Sequence, residues 1–269
     1  CTVGTRLASW YSQVPTPGIQ DGWRNGLQQG QRGIVGQAYV TYLLIVCSSV
    51  TFFMEKKQAI SYHIQNKDLY FETIQKKFQN SEVIQENELT PMFYLCETES
   101  DVQLVKKCLL RFYEETETVK YKFGPLLLRV CYVLDLVDTA FELLMDKSFR
   151  GALSDPVSYN LLLDLLYKHG QYERALEALL DMKIQCFRLN RITYFLAFAI
   201  CYKLDNPRSL ETCITLFEQS VMDGILHSRI SLCFIVALAL KQETMEQLGL
   251  FFRGLRKKTY CSATIWVFC

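Results

Sequence analysis

The 269-residue chain is poor in the residues that punctuate other fold classes and in those that do chemistry. Glycine and proline number only 13 and 6, which together with long periodic segments favours an all-helical chain. Histidine occurs only at His63, His169 and His227. These fall in different segments, with His169 at an expected turn and His227 at a junction, so no convergent catalytic set forms. There is no HExxH, no His-x-Glu and no Gly-x-Ser-x-Gly, and no CxxC to support a zinc site. Gly26, Gly30, Gly33 and Gly36 make neither a GxGxxG fingerprint nor a phosphate loop. The acidic run Glu114, Glu115 and Glu117 reads as a solvated helix end, not a metal site. The expectation is therefore no catalytic residue, no metal, no cofactor and no enzyme. Charge of one sign is lacking too. Lys and Arg (29) nearly cancel Asp and Glu (28), so the net charge of +1 leaves no bulk nucleic-acid footprint. The distribution is less even, with acids in excess over 55–121 and bases in modest excess over 157–203.

Cysteine is abundant, at 11 residues, but scattered irregularly through apolar stretches. Cys131, Cys201 and Cys233 recur in first helices of successive units, which points to buried thiols in a reducing compartment instead of a disulfide framework.

What is present is a repeat. The stretch Val157 to Arg191 matches the chain shifted by 35 residues in either direction. Forward, Val157, Tyr159, Leu161, Tyr167 and Lys168 meet Ile192, Tyr194, Leu196, Tyr202 and Lys203. Backward, Leu161, Leu162, Leu163, Tyr167, Ala175, Leu179 and Asp181 meet Leu126, Leu127, Leu128, Tyr132, Ala140, Leu144 and Asp146. Such a period marks a stacked array. Each unit reads as two antiparallel helices. Ser154-Asp155-Pro156 supplies a cap and an N1 proline, and Val157, Leu161, Leu162, Leu165 and Leu166 have helical spacing. Gly170 takes the positive φ that ends the first helix. A second helix from about Tyr172 to Met182 carries an apolar stripe through Tyr172, Ala175, Leu176, Leu179 and Met182.

The Val-x-Tyr-Asn opening at Val157 to Asn160, the Gly170 turn, the Ala-Leu-x-x-Leu core and the period resemble a pentatricopeptide repeat. The resemblance continues through YKFGPLLLRVCYVLDL from Tyr121 and YFLAFAICYKLDNP from Tyr194, over roughly Glu55 to Phe252. It implies an all-α, right-handed α-solenoid of helix-turn-helix repeats. The expected divisions are a leader over 1–54, capping helices over 55–86, a degenerate repeat over 87–121 and a repeat over 122–156. The best-defined repeat spans 157–191 and is followed by one with a turn lengthened by LDNPRS over 192–227, a partial repeat over 228–252 and a divergent tail over 253–269. Ser100-Asp101 is the expected cap within the degenerate repeat, and Lys106, Lys107 and Arg111 share a solvated face there. The leader is acid-poor, with Asp21 its only acid, as in a mitochondrial presequence. The uncharged run 34–54 is long enough to span a bilayer. Gln37, Thr41, Ser48, Ser49 and Thr51 dilute it and favour a buried helix or misread sequence over a membrane segment.

The resemblance also implies function: single-stranded mitochondrial RNA read one base per repeat, in the matrix. It further implies a non-catalytic adaptor, with RNA-processing proteins as partners, that assists transcript maturation and so the respiratory chain. Carried residue by residue onto this sequence, the base contact is Asn160 with Asn190 and the clamp is Val157 with Ile192, a pair of amides that favours pyrimidines. Lys168, Arg188, Arg191 and Lys203 are the phosphate partners. The preceding unit has Pro125 and Asp155 at the reading positions and the following one Phe195 and about Leu226, so only one unit carries a readable pair. Asn160 and Asn190 also suit helix caps; as readers, neither is expected in the core. Two other readings compete. A protein-binding scaffold of tetratricopeptide type fits the architecture but not the 35-residue step or the missing Trp and Leu-Gly signature. A nuclease would need an additional metal-binding domain.

Overall fold

Three residues with positive φ, Asp135 (60°), Gly170 (70°) and Asp205 (48°), stand 35 apart and mark where the chain turns back on itself. The computed structural model describes residues 50–115, 123–149, 153, 155–227 and 229–242, and all regular structure among them is helical. Following α1 (residues 50–63) come α2 (Lys67–Gln79), α3 (Glu86–Leu95) and α4 (Glu99–Glu115). The hairpins are α5 (Gly124–Val133) with α6 (Val137–Met145), α7 (Pro156–Lys168) with α8 (Tyr172–Ile184), and α9 (Arg191–Leu204) with α10 (Pro207–Met222); α11 (Arg229–Lys241) follows.

Local chemistry sets these limits. Asp155 accepts from the backbone N–H of Val157 (2.6 Å) and Ser158 (3.0 Å), and Pro156 occupies the first turn of α7 without a missing partner. At the other end Gln171 N–H donates to the Leu166 carbonyl (3.0 Å), and Leu136 N–H donates to Cys131 in the same way one unit earlier (2.9 Å). Asp205 adopts the left-handed conformation at the corresponding place, although it is not a glycine. The turn after α9 is therefore not lengthened. It consists of Asp205 and Asn206, the extra residue belongs to α9, and Pro207 stands 35 residues after Tyr172, where α8 begins. The cap of α4 also differs from expectation. Thr98 Oγ1 accepts from Asp101 N–H (3.3 Å) while Asp101 accepts from Thr98 N–H (3.0 Å), so the reciprocal cap is Thr98 with Asp101, not Ser100-Asp101.

The first helices are buried on every side. Each residue from Ser158 to Leu166 in α7 and from Thr193 to Cys201 in α9 is buried. Positions one unit apart repeat this: Leu128, Leu163 and Phe198, then Cys131, Leu166 and Cys201. The first helices α5, α7, α9 and α11 pack directly on one another in series, whereas successive second helices barely meet. Among the described cysteines only Cys186 is exposed, and burial pushes the Cys96 and Cys131 thiols up to about 12.

Polar links tie each unit to the next. Asp135 pairs with His169 (2.7 Å) and Asp138 with Arg174 (2.6 Å), whose guanidinium lies over Phe141 at 4.2 Å. Lys106 reaches Asp146 (3.2 Å), and Arg111 holds Glu115 (2.6 Å) and the Phe78 carbonyl (2.8 Å), so only Lys107 of that basic trio matches the solvated face expected. At the amino end, Phe53 of α1 stacks on Tyr94 (4.9 Å) and Lys57 donates to the Cys96 carbonyl (2.8 Å). Of the uncharged run 34–54, only 50–54 is described, as part of α1. No helix among the described residues is long and apolar enough to cross a membrane. The expected leader up to residue 49, the end of the partial repeat over 243–252 and the divergent tail over 253–269 lie outside the described residues.

The most buried link is Asp164. Its Oδ2 accepts from Tyr132 hydroxyl (2.6 Å) and lies 3.1 Å from the Lys168 ammonium, which itself sits over the Tyr132 ring at 3.9 Å. Oδ1 has no partner among the described residues. Burial pushes this carboxyl up from 3.8 to about 8. The folded value exceeds the unfolded one, so the unfolded chain releases this proton first as pH rises. The contribution to stability is full below about pH 4 and is lost by about pH 8. Melting temperature measured against pH should show that decline, and Asp164→Asn should flatten it. At Gly124 an added Cβ would strike the Leu153 carbonyl and the Ser158 hydroxyl, where α5 approaches the start of α7. Gly124→Ala is expected to destabilise the chain by about 1–3 kcal/mol in urea titration.

Candidate nucleic-acid interface

The start of α7 and the start of α9 lie side by side on the first-helix row, and two of the expected contact residues, Asn160 and Asn190, meet there. Asn190 is the N-cap of α9: its Oδ1 accepts from Ile192 N–H (2.9 Å) and Thr193 N–H (3.0 Å). Asn160, one turn into α7, donates from Nδ2 to that same Oδ1 (3.4 Å) and accepts at Oδ1 from the Thr193 hydroxyl (2.8 Å). The Thr193 hydroxyl is also 3.1 Å from Asn190 Oδ1. Two backbone donors require an oxygen at the inner position of Asn190, and that oxygen in turn requires the nitrogen of Asn160 to face it. Both amide orientations follow from the network.

The two asparagines thus contact each other across the repeat boundary, and both serve the fold. Asn160 is only 7% exposed, which corrects the expectation that neither residue is core. Asn190 is half-buried. Its Nδ2 has no hydrogen-bond partner among the described residues and is not sealed from solvent. Val157, 45% exposed, and the half-buried Ile192 stand at the first turns of α7 and α9.

The four cations separate into two groups. Arg188 and Arg191 are exposed and within two residues of Asn190. Lys203 is exposed but lies twelve residues beyond Arg191 (203 − 191), roughly 18 Å along α9. Lys168 is at the far end of α7, with its ammonium on Asp164 and the Tyr132 ring.

The equivalent places in neighbouring units differ. Asp155, 35 residues before Asn190, caps α7 and accepts from Ser158 hydroxyl (2.9 Å), where the Thr193 hydroxyl lies 3.1 Å from Asn190 Oδ1. Pro125 opens α5, and Phe195 is buried edge-on to Phe234 at 5.6 Å. Leu226 is exposed. Sequence reasoning missed Thr193; the signal was the hydroxyl residue repeated at 158 and 193.

His227 closes the far side of α9. It is ringed by Tyr194, Phe198 and Phe217 at 5.4–5.7 Å. Ser220 donates its hydroxyl to the Phe217 carbonyl, so the imidazole proton is on Nε2, donated to Ser220 Oγ at 2.5 Å. Burial, with the Arg191 charge nearby, pushes this histidine down to about 4. It is a neutral packing group. His169 is paired with Asp135, and His63 ends α1, so the three histidines do not converge. Among the described residues, no group of three His, Cys, Asp or Glu side chains is placed to hold a metal.

Helix α9 has a positive dipole end at this cap, which a neutral amide covers, whereas that of α7 is already met by the Asp155 carboxylate. Asn190→Ala should cost about 1 kcal/mol through the lost cap. Asn190→Asp, which keeps the accepting oxygen, should hold the urea midpoint near that of the parent.

No family model matches the chain. Among curated proteins it is similar to pentatricopeptide repeat-containing protein 2, mitochondrial, from three vertebrates. It is 44% identical to that of Xenopus laevis over 199 residues, 72% of this chain and 52% of the relative. It is 42% identical to that of Mus musculus over 198 residues, covering 72% and 52%. It is 42% identical to that of Homo sapiens over 199 residues, covering 72% and 51%. The chain spans about half the length of the curated relatives it matches.

Proposed function

Because this chain is a homologue of the pentatricopeptide repeat proteins, belonging with that family over the 72% of its length that aligns, we propose that it binds single-stranded RNA in mitochondria. The observation that carries this reading is the asparagine pair at the junction of α7 and α9, with a solvent-facing amide on Asn190 and two exposed arginines beside it. An extended strand would run along the starts of the first helices and offer one base per unit. Val157 and Ile192 would hold a pyrimidine from its two faces while Asn160 and Asn190 meet its edge. Arg188 and Arg191 would meet the flanking phosphates, aided by the dipole of α9. Lys203 would contact a phosphate farther along, whereas Lys168 holds the array together through Asp164. With one readable unit, affinity would exceed sequence selectivity, so the protein would act as a non-catalytic adaptor in the matrix. RNA-processing proteins would join it in transcript maturation, and the respiratory chain would depend on the products.

A second reading, a protein-binding scaffold, draws on the exposed apolar residues Leu180 and Ile184 of α8 and Met222 and Leu226 at and beyond the end of α10. Filter binding of the full chain to single-stranded RNA at two salt concentrations separates the two. RNA binding should weaken with salt, and Arg188→Ala combined with Arg191→Ala should reduce the slope of log affinity against log salt by about 1.4. Absence of binding at low salt, or binding indifferent to salt, would favour the scaffold.

A further inference from the structure

We propose that the outward faces of α8 and α10 are a docking surface for an amphipathic helix of a partner protein, one that carries lysine or arginine on either side of an apolar stripe. The inference deepens the adaptor reading above by naming where a protein joins. It rests on that reading only for RNA and protein being held together, and the docking is measured without RNA.

Charge is sorted by helix row. Among the described residues, the exposed charged side chains of the second helices are Asp138 and Glu142 on α6, Glu173 and Glu177 on α8, and Arg208, Glu211 and Glu218 on α10. Six acids thus stand against one base. Asp138 is met by Arg174 of α8 (2.6 Å), and the others are open to solvent. On the first helices of the same hairpins, the exposed charged residues are Arg191 and Lys203. A net charge near zero conceals two surfaces of opposite sign.

Set into the acidic row are large apolar side chains that nothing among the described residues covers. Leu180 and Ile184, 58% and 65% exposed, stand four apart on α8, and Glu173 and Glu177 continue the same stripe toward the start of the helix. Met222, 79% exposed, ends α10 beside Asp223. These two helix ends are neighbours, since Asp223 accepts from the Tyr194 hydroxyl (3.1 Å) and its charge acts on Lys183 of α8. A single exposed leucine is ordinary, whereas three large apolar residues at one place within an acidic border mark a contact surface.

The charge decides the occupant. RNA and anionic lipid bring phosphates, which the carboxylates repel. A second copy apposed through this same row sets acid against acid. A basic amphipathic helix answers both features: apolar residues at i, i+3, i+4 and i+7 cover Leu180, Ile184 and Met222, and flanking cations meet Glu177, Glu218 and Asp223. RNA along the starts of the first helices leaves the middle of α8 uncovered.

The test uses two labelled synthetic peptides of about 18 residues with leucines at that spacing, one filled with lysine and the other with glutamate. Fluorescence anisotropy with the full chain should show the lysine peptide binding, more weakly as salt rises, and no binding of the glutamate peptide. Leu180→Ser with Ile184→Ser should weaken the lysine peptide about ten-fold. Glu177→Gln with Glu218→Gln should weaken it about three-fold at low salt and flatten the salt response. All four positions are exposed, so both variants should keep the parent's urea midpoint and its affinity for oligouridine. Equal binding of the two peptides, or binding that Leu180→Ser with Ile184→Ser leaves unchanged, would overturn the proposal. So would sedimentation showing a dimer of the parent that this variant dissociates, because a second copy would then cover the face. If the lysine peptide docks but oligouridine does not bind, the docking surface stands and the RNA-binding reading has failed.

Discussion

A first helix buried on all sides cannot exist alone, and this one constraint organises the molecule. From Ser158 to Leu166 no face of α7 is left for water, so its backbone ladder and side chains are stable only between α5, α8 and α9. A helix apolar all round demands neighbours, whereas the amphipathic α8 and α10 cover one side and leave the other to solvent. The repeat is thus a unit of sequence without being a unit of stability. Burial alone would permit neighbouring helices to slide. The charged and hydroxyl links between units prevent this, because a slip of one residue would leave Asp164, His169 and Asn160 without their partners across the boundary.

The same burial decides the state of the polar groups inside. Asp164 is held at the centre with one oxygen served and the other not, so its charge is opposed by its surroundings and supported by Lys168. His227 is held neutral by aromatic rings. At the candidate interface the fold and the proposed contact use one set of atoms. Asn190 ends a loop, caps a helix and orients its neighbour, and only its nitrogen remains for anything else.

Much of the fold was legible. The 35-residue step, the Asp155-Pro156 start and the Gly170 turn are local signals, because each needs only a cap, a ring or a missing Cβ to act. Asp205 was not legible as the counterpart of Gly170, since a left-handed aspartate looks like any polar residue in a sequence, and the apparent lengthening of LDNPRS was one more residue of helix. Thr98 was passed over for Ser100-Asp101, although Asp101 stands three residues after Thr98, a capping-box spacing that the sequence itself carries. At the interface, the sequence pointed to Asn160 and Asn190 but not to their contact, which crosses a repeat boundary. Lys168 was open to a better reading: Asp164 four residues earlier is a helical ion-pair spacing.

The uneven packing of the two helix rows has a mechanical consequence. Joints that are tight along one edge and slack along the other behave as a line of hinges with a common axis. Tension applied to the ends would spread the slack edge first, lengthening the coil while each hairpin stays intact. Such a body adjusts its pitch to the spacing of whatever lies along its inner edge, and the cost is shared among several small rotations.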